Sequence, residues 1–498
     1  MSQLLKTKWL PYLLLILLAM PLFYLNVHEQ HTWGGDDYAL YIKEADNISK
    51  GLPFYKTNFV FYDRNITYSP PQYPPGFPLL LAPVVKLWGL AIKPMLCWLT
   101  AMVVAFMLAT FTWLRKRGVG DITALCICLL LGYSWLVVDA KDQVLSDIPC
   151  LLFTMLYFAN RRADRYSWGR IAALVLLAEM AMLIRTQSIL ILAAEVLFVS
   201  YTMLYGLVRH RRLDKSRLFP ALYIVPGVLL LNFILSKTVL YVPSAASSFY
   251  ANYLRSALQE GIITRFRNSV NFVMEVLNGC FYYPTDSGFR TAMVTIMQGA
   301  GLSLSLLGMG LSIKRRLAVE DIFFVLMLVM MLYYPIHDKR YFLPAIAIVY
   351  YYCYYASKTI LPAVTTIKPR TVGLVLTAMI LFAGLKYLKE ANAPKVGYVP
   401  GDNDRKAFAY LATHVADNEL VLFSRPRFLT LYTNKRSMVQ AWLLPMAQNR
   451  QIFDSMQVKY ALTVKGLADD FNNHYLHEVQ QPLDSVVIAD GYTLYRLR

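Results

Sequence analysis

The feature that most constrains this chain is a series of long apolar segments separated by short basic clusters. A helix that spans a bilayer needs about 20 predominantly apolar residues, and by that measure about eleven segments are candidates. They are residues 9–27, 94–114, 121–139, 148–160, 170–184, 187–207, 218–236, 291–313, 320–336, 342–357 and 371–388. Only 16% of the residues are charged, whereas soluble proteins have about 25%. We therefore predict an all-α polytopic membrane protein with about eleven transmembrane helices.

Two apolar segments need interpretation. Segment 9–27 follows Lys6 and Lys8, as a signal peptide would, but it lacks a small-residue cleavage site and is long enough to span. We interpret it as an uncleaved first helix. The run 171–207 is too long for one helix, and Arg185 near its middle would be costly in lipid. We predict two helices joined by a tight turn at Arg185.

The basic clusters orient the chain. They are Arg115, Lys116 and Arg117; Arg161, Arg162 and Arg165; Arg209, Arg211, Arg212 and Lys215; Lys314, Arg315 and Arg316; and Lys358 and Lys368. All lie on one side of the membrane in this arrangement, and the positive-inside rule makes that side cytoplasmic. The loops 28–93 and 237–290, the turns 139–147 and 337–341 and the tail 389–498 then lie outside. The net charge of +18 is explained by this placement, so we expect no nucleic-acid partner.

The tail has a different pattern from the body, which comprises residues 1–388. We predict helices at 404–416, 427–432 and 445–456, strands at 420–423 and 460–464, and closing strands within 486–497. Helices alternating with strands indicate a small exterior α/β domain. Residues 77–92 of the first loop are apolar but short, and we expect a helix that lies at the membrane interface. The cysteines show no metal-ligand spacing.

An acidic pair follows the first predicted span, in the segment Gly34-Gly35-Asp36-Asp37-Tyr38. One interpretation is a helix N-cap, because an Asp at a helix start satisfies free backbone N–H groups. The other is a catalytic base, which transfer of a sugar to a hydroxyl requires. The residues alone leave both open. A second segment, Tyr73-Pro74-Pro75-Gly76-Phe77, follows about 35 residues later in the sequence.

Together, the acidic pair, the Tyr-Pro-Pro-Gly turn and the multi-span body with an exterior α/β tail resemble the GT-C superfamily of membrane glycosyltransferases. Within it, the chain is similar to protein O-mannosyltransferases, lipid A aminoarabinose transferases and bacterial dolichyl-phosphate-mannose-protein mannosyltransferase-like proteins. The resemblance implies that Asp36 is the general base and Asp37 its neighbour. The family usually has Asp-Glu where this chain has Asp-Asp, so the choice between the two carboxylates stays open.

Two further segments resemble family motifs. Asp147, ahead of Pro149, matches an exterior acidic residue that orients the acceptor or holds a divalent cation with Asp36; a helix N-cap is the alternative. The turn His337-Asp338-Lys339-Arg340-Tyr341 resembles the Arg-Tyr-Leu-x-Pro segment. In it Arg340 and Lys339 suit a lipid phosphate or, alternatively, snorkel to headgroups.

The remaining site residues follow from the same resemblance. We expect Arg185 to bind the donor phosphate or to pair with an exterior Asp. Tyr73, Tyr341 and His337 belong to the expected substrate-binding segments. No metal ligand set is defined by the sequence beyond a possible divalent cation, and no other cofactor is expected.

The implied function is inverting transfer of a hexose or pentose from a polyprenyl-phosphate donor to a lipid, glycan or protein acceptor. Membrane lipids are the other expected partners, and the expected location is the bacterial inner membrane with the site facing the periplasm. An O-antigen ligase or polymerase is the alternative, although it would keep its key arginines in a large late loop. A transporter fits less well, because the charged motifs lie on one face instead of near the midplane.

Overall fold

The computed structural model describes residues 9–28, 37–60, 73–161, 166–205, 215–240, 273, 276–277, 280, 288–315, 317–333, 338–364, 401–440, 445–465, 476 and 482–497. Several predicted features fall outside these ranges: Asp36, His337, the predicted span 371–388 and most of the loop 237–290.

The described elements are mainly helices. In chain order the helices are α1 (Leu10–Ala19), α2 (Asp37–Ser49), α3 (Gly76–Trp88), α4 (Ile92–Lys116), α5 (Asp121–Gly132), α6 (Trp135–Lys141), α7 (Asp147–Arg161), α8 (Trp168–Ile184), α9 (Ile189–Tyr205), α10 (Lys215–Lys237), α11 (Gly288–Arg315), α12 (Val319–Tyr333), α13 (Ile346–Val364), α14 (Asp402–His414), α15 (Pro426–Thr433) and α16 (Met446–Ser455). The strands are β1 (Leu420–Leu422), β2 (Arg436–Met438), β3 (Val458–Val464), β4 (Asp484–Ala489) and β5 (Tyr492–Arg496). Short 3₁₀ helices lie at Met20–Phe23, Thr186–Ser188 and Lys339–Ala345.

The chain forms two compact units. The first contains Met1–Val27, Leu96–Tyr241 and Ser256–Ala393, and the second contains His28–Met95, Val242–Arg255 and Pro394–Arg498. The first unit therefore holds most of the apolar helices. The second combines the first predicted exterior loop with the C-terminal tail.

The apolar helices of the described residues account for part of the predicted span count. Four are long and apolar enough to cross a membrane: Ile92–Lys116, Thr186–Tyr205, Pro220–Lys237 and Val294–Arg315. Helices α5 and α6 add a fifth if they form one span, although the chain bends by 53° between them. Within the described residues, each predicted span coincides with a helix, but several of these helices are short for a span. The count of eleven stays a prediction.

The run 171–207 is divided as the sequence predicts. Helix α8 ends at Ile184, and Arg185 adopts an extended conformation with φ of −147° and ψ of 130°. One turn of 3₁₀ helix precedes α9. The break keeps the guanidinium of Arg185 at the end of two helices, away from the middle of either.

Two buried ion pairs join helices of the first unit. Arg117 Nη2 lies 2.6 Å from Glu320 Oε1, and both side chains are almost fully buried. The guanidinium of Arg117 also stacks over the rings of Trp113 and Tyr351. Arg161 contacts both carboxylate oxygens of Glu195 at 2.6 and 3.1 Å. The pair of Arg117 and Glu320 connects the end of α4 to α12. The pair of Arg161 and Glu195 connects α7 to α9.

The second unit contains a five-stranded mixed sheet with the order β2-β1-β3-β5-β4. Strand β1 is parallel to β2 and to β3, whereas β5 is antiparallel to β3 and β4. The hydrophobic core beside the sheet includes Leu422, Ile452 and Phe453. These elements agree with the helices and strands predicted for the tail, except that the edge strand β2 was not predicted.

Helices α11 and α13 approach each other most closely at Gly308. A Cβ atom at Gly308 would lie 2.0 Å from the carbonyl oxygen of Tyr352, a distance that requires the backbones to separate. About two helical turns earlier in α11, Cys353 Sγ donates to the carbonyl oxygen of Gly301 at 3.3 Å in the same contact. Small residues permit this kind of close helix packing in membranes. Gly310 is a natural reference, since a Cβ there would meet nothing within 4 Å.

We expect Gly308→Ala to destabilise the protein, whereas Gly310→Ala should leave it unchanged or slightly stabilised. Overpacking of a close contact typically costs about 1–3 kcal/mol, and alanine is the better helix former where space is open. Thermal unfolding of both purified variants in detergent measures the difference. Equal stability of the two variants would show that the helices are not in contact at Gly308.

Candidate functional site

The acidic motif lies at the start of α2 in the second unit. Asp37 is the first residue of the helix, which places its carboxylate near the free backbone N–H groups of the first turn. Its side chain forms an ion pair with Arg427, a residue 390 positions later in the chain. The Arg427 side chain is 2% exposed and that of Asp37 is 34% exposed. The charge of Asp37 is therefore balanced by a buried guanidinium.

Arg427 is held in place by the elements around it. It lies in the first turn of α15, directly after Pro426, whose fixed φ suits the start of a helix. Its guanidinium carbon lies 5.3 Å from the centre of the Phe59 ring. The neighbouring Phe428 packs edge-on against Tyr38, with ring centres 6.4 Å apart. Aromatic contacts therefore surround the ion pair between α2 and α15.

A second carboxyl group of α2 faces Arg427. Glu44 is fully buried, and neither of its carboxylate oxygens has a hydrogen-bond partner among the described residues. Burial raises the pKa of Glu44 well above its ordinary value, although the charge of Arg427 opposes the shift. Asp37 and Glu44 are seven residues apart and so lie on one face of the helix. Burial thus disfavours the charged form of Glu44, and the ion pair to Arg427 is made by Asp37.

Tyr73 lies against the acidic helix. Its ring stacks on Tyr41 of α2 with centres 4.9 Å apart. Tyr41 also contacts Phe77 of α3 edge-on at 5.1 Å. The Tyr-Pro-Pro-Gly turn therefore packs α3 onto α2, which is a structural role for residues predicted to bind substrate.

A separate cluster in the first unit contains Asp147 and Arg185. Asp147 begins α7 and its side chain is 1% exposed, while Arg185 Nη1 lies 2.7 Å from Asp147 Oδ1. Arg185 Nε also donates to Ser146 Oγ at 3.0 Å. Arg185 is therefore paired with Asp147, and its binding of a donor phosphate stays a prediction.

Arg340 is paired within its own turn. Its Nε donates to Asp338 Oδ2 at 2.8 Å, and its Nη2 lies 2.6 Å from the same oxygen. Burial alone would raise the pKa of Asp338, but the hydrogen bond and charge of Arg340 outweigh burial and lower it. Burial likewise opposes the charged form of Arg340, but Asp147 and Asp338 outweigh it and raise the pKa of Arg340. Both groups are therefore charged at neutral pH.

Tyr341, the residue after Arg340, contacts Arg185. Its ring lies 5.0 Å from the guanidinium carbon of Arg185. Its carbonyl oxygen accepts a hydrogen bond from Gln187 at 3.1 Å. Lys339 is exposed in the same turn. The structure thus brings Asp147, Arg185, Arg340 and Tyr341 together, as a cluster of alternating charges around one aromatic ring.

A metal site is not defined by the described residues. Among them, no group of three or more His, Cys, Asp or Glu side chains is close enough to hold a metal ion. Asp36, which the sequence pairs with Asp147 as a possible cation ligand, lies outside the described ranges.

Sequence analysis missed two partners in these clusters. Arg427 was assigned only to a helix of the tail, and nothing near it in sequence connects it with residue 37. Asp338 was assigned no role, although its position two residues before Arg340 is a local signal for such a pair. The i to i+2 spacing in a tight turn allows an Asp side chain to accept from the backbone N–H of Arg340, as it does here at 2.9 Å.

The buried carboxyl of Glu44 gives a prediction for pH dependence. A raised pKa means that the folded protein binds more protons than the unfolded chain above about pH 4.5, so stability falls as pH rises toward the folded pKa. We expect Glu44→Gln to remove this fall, because the amide resembles the protonated carboxyl in shape and has no charge. Thermal unfolding of the wild type and of Glu44→Gln between about pH 5 and pH 8 measures this dependence of stability on pH. If the difference in stability between the wild type and Glu44→Gln did not change with pH, Glu44 would not titrate as a buried acid.

Comparison with known proteins indicates the fold. No protein-family model matches the chain, and no curated protein matches it significantly. Among solved structures, it is similar to the oligosaccharyltransferase AglB of the archaeon Archaeoglobus fulgidus, in complex with an inhibitory peptide and a dolichol-phosphate, with a TM-score of 0.58 and 11% identity. That match covers 92% of this chain and 70% of AglB.

A second similar structure is ArnT from Cupriavidus metallidurans bound to undecaprenyl phosphate. The TM-score is 0.58 at 12% identity, and the match covers 99% of this chain and 98% of ArnT. The two structures belong to an oligosaccharyltransferase and an aminoarabinose transferase, as the GT-C resemblance implies. The chain therefore has the fold of the GT-C membrane glycosyltransferases.

Proposed function

We propose that the protein is an inverting glycosyltransferase that moves a hexose or pentose from a polyprenyl-phosphate donor to an acceptor hydroxyl. The observation that carries this proposal is the whole-chain fold similarity to ArnT, together with an acidic motif at the start of α2. ArnT was solved with undecaprenyl phosphate, which is a polyprenyl carrier without its sugar. The apolar helices suit a donor whose tail stays in lipid.

The chemistry of the leaving group sets what the protein must supply. In glycoside hydrolysis a carboxylic acid protonates a poor alkoxide leaving group. A polyprenyl phosphate leaves as a stable anion and needs no such acid. The acceptor hydroxyl then requires one base, and the departing phosphate requires a cation. In-line attack on the anomeric carbon inverts its configuration.

Asp36 is the base in this proposal. The adjacent Asp37 is paired with Arg427, so its lone pairs and charge are already used. The pairing of Asp37 therefore supports assigning the base to Asp36, as the family resemblance implies.

Arg340 is the donor-phosphate ligand in this proposal, assisted by Lys339 and by Arg185. Arg340 is 30% exposed, whereas Asp147 beneath it is buried. A phosphate that reaches Arg340 can share or replace the contact with Asp338, since phosphate and carboxylate accept the same fork of N–H groups. Asp147, Tyr341 and His337 are assigned to substrate positioning, and Tyr73 supports the acidic helix.

The same proposal sets the location of the chemistry. The site and residues 389–498 face the periplasm, and the protein lies in the bacterial inner membrane with about eleven spans. A ligase or polymerase acting on lipid-linked glycans is the alternative enzyme, and a transporter is the non-enzymatic one. Release of polyprenyl phosphate from a monosaccharide donor distinguishes the proposed transferase from a transporter, which leaves the donor intact.

We expect Arg340→Ala to weaken binding of undecaprenyl phosphate about 10-fold or more, since a hydrogen bond to a charged group contributes about 1.5–3 kcal/mol. Asp338→Asn is the matched control. It removes the competing carboxylate charge and should leave binding unchanged or tighter. Binding to the purified variants can be measured by thermal shift with added undecaprenyl phosphate. Equal weakening in both variants would assign the pair a purely structural role.

We expect Asp36→Asn to abolish most of the transfer while leaving stability unchanged. General base catalysis contributes about 10²–10⁴ in rate, and Asn begins a helix about as well as Asp. The assay follows undecaprenyl phosphate released from radiolabelled undecaprenyl-phosphate hexoses and pentoses in membranes that contain the overproduced protein. Asp37→Asn, assayed in parallel, should lose less activity.

The results of these assays distinguish an error in the proposed function from an error in the residues assigned to it. A wild-type protein that releases no undecaprenyl phosphate from any donor of the panel would contradict the proposed function. Normal turnover by Asp36→Asn with loss of turnover in Asp37→Asn would exchange the two roles. Normal turnover by both variants would remove the acidic motif from the mechanism.

A further inference from the structure

Helix α15 of the tail is tied to the acidic helix α2 by polar contacts at both of its ends. At its C-terminal end, Asn434 adopts a left-handed conformation with φ of 58° and ends the helix. Its side-chain oxygen accepts from Lys43 Nζ of α2 at 2.9 Å. At its N-terminal end, Arg427 pairs with Asp37. The two ties are about two turns apart along both helices, so together they fix the axial position of α2 against α15.

The segment that follows α2 strengthens the same contact. Asn58 Nδ2 donates to the carbonyl oxygen of Asn434 at 2.6 Å. Val60 N–H donates to the carbonyl oxygen of Ser437 at 2.8 Å, and Ser437 N–H donates to the carbonyl oxygen of Asn58 at 3.2 Å. Phe59 and Ser437 form a parallel bridge, which extends the sheet at the edge strand β2. Residues 58–60 therefore behave as a short extra strand on the tail domain.

The buried end of this contact is the Arg427 side chain. A guanidinium that is 2% exposed requires a carboxylate partner, because a buried charge without one is strongly unfavourable. Of the two carboxyl groups of α2 that face it, Glu44 is fully buried and Asp37 is partly exposed at the helix start. Arg427 therefore constrains the first turn of α2, where the acidic motif lies.

We propose that Arg427 is a positioning residue for the acidic motif, so that the C-terminal tail domain is part of the catalytic apparatus. By holding the Asp37 carboxylate, Arg427 fixes the first turn of α2. This inference rests on the proposed function for the identity of the base, and on the described contacts for the positioning itself.

A purely structural role for the ion pair is the alternative to positioning. A structural staple would only hold the tail domain onto α2, and its loss would lower stability without changing turnover in the molecules that stay folded. A positioning residue changes the geometry of the reaction. A displacement of about 1 Å at the reacting groups can cost about 100-fold in rate, so the effect of positioning falls on kcat more than on KM.

The test compares four purified full-length variants: Arg427→Met, Arg427→Lys, the double variant Asp37→Asn with Arg427→Met, and Lys459→Met. Lys459 pairs with Glu419 at 2.6 Å in the same unit and is a control for loss of an ion pair outside the α2–α15 contact. Turnover is measured as undecaprenyl phosphate released from the radiolabelled donor that the wild type uses. Hydrogen exchange of residues 37–49 is measured in parallel and needs no activity.

We expect Arg427→Met to lower kcat about 10–100-fold with little change in KM, and to speed exchange at the start of α2. Arg427→Lys keeps the charge but lacks the fork of N–H groups, so it should recover part of the turnover. Lys459→Met should match the wild type in both measurements. If Arg427→Met fails to fold, the double variant removes both charged groups and should fold, and its kcat should still be low.

Two results would overturn the inference. One is a folded Arg427→Met or double variant with wild-type kcat, and the other is unchanged exchange at residues 37–49. Failure of the proposed function looks different. In that case the wild type releases no undecaprenyl phosphate, whereas faster exchange of α2 in Arg427→Met still shows that the tail holds the acidic motif.

Discussion

The described part of the structure depends on pairing each buried guanidinium with a carboxylate. Four such pairs are Arg117 with Glu320, Arg161 with Glu195, Arg185 with Asp147 and Arg427 with Asp37. Removing one partner of a buried pair typically costs about 3–5 kcal/mol, because the other charge is then left without compensation. In a chain whose surroundings are mainly apolar, this penalty selects one arrangement of the helices. Hydrophobic burial alone would allow many, since lipid and helix surfaces are similarly apolar.

The same constraint shapes the candidate site in the first unit. Arg185 and Arg340 have carboxylate partners before any substrate arrives, so the site carries alternating charges in place of a bare cationic patch. A phosphate ligand would therefore exchange one anionic partner for another. Such an exchange costs less than desolvating an isolated guanidinium, and it makes binding depend on geometry more than on net charge. An arginine that only contacts lipid headgroups would not require a buried carboxylate partner such as Asp147, which pairs with Arg185.

Much of the fold could be predicted from the sequence, because apolar runs and helix–strand alternation are local signals. This group contains the helices that coincide with ten of the apolar segments, the break at Arg185 and most elements of the tail. The bend between α5 and α6 and the three-residue strand β2 were not predicted. A short strand at a sheet edge has too few residues for a periodic pattern, and the pairing of its Ser437 with residues 58–60 is decided by tertiary contacts.

The site was predictable only in part for the same reason. The resemblance to family motifs singled out Asp147 and Arg340, and the cost of a charge in lipid singled out Arg185; the structure brings these three together. The partners of Asp37 and Arg340 were not identified. The Asp37 partner lies 390 residues away in a helix that looks ordinary in sequence. A pattern in one sequence carries no information about which distant charges meet, so only tertiary structure could supply Arg427.

The partner of Asp37 bears directly on the choice between two adjacent carboxylates. Arg427 holds Asp37 from within the second unit and is itself surrounded by Phe59 and the residues of α15. An Asp-Asp pair is symmetric in chemistry, but this environment makes it asymmetric: one carboxylate is committed to a buried ion pair. In the proposed mechanism this ion pair distinguishes the two carboxylates, and the tail domain supplies it through Arg427.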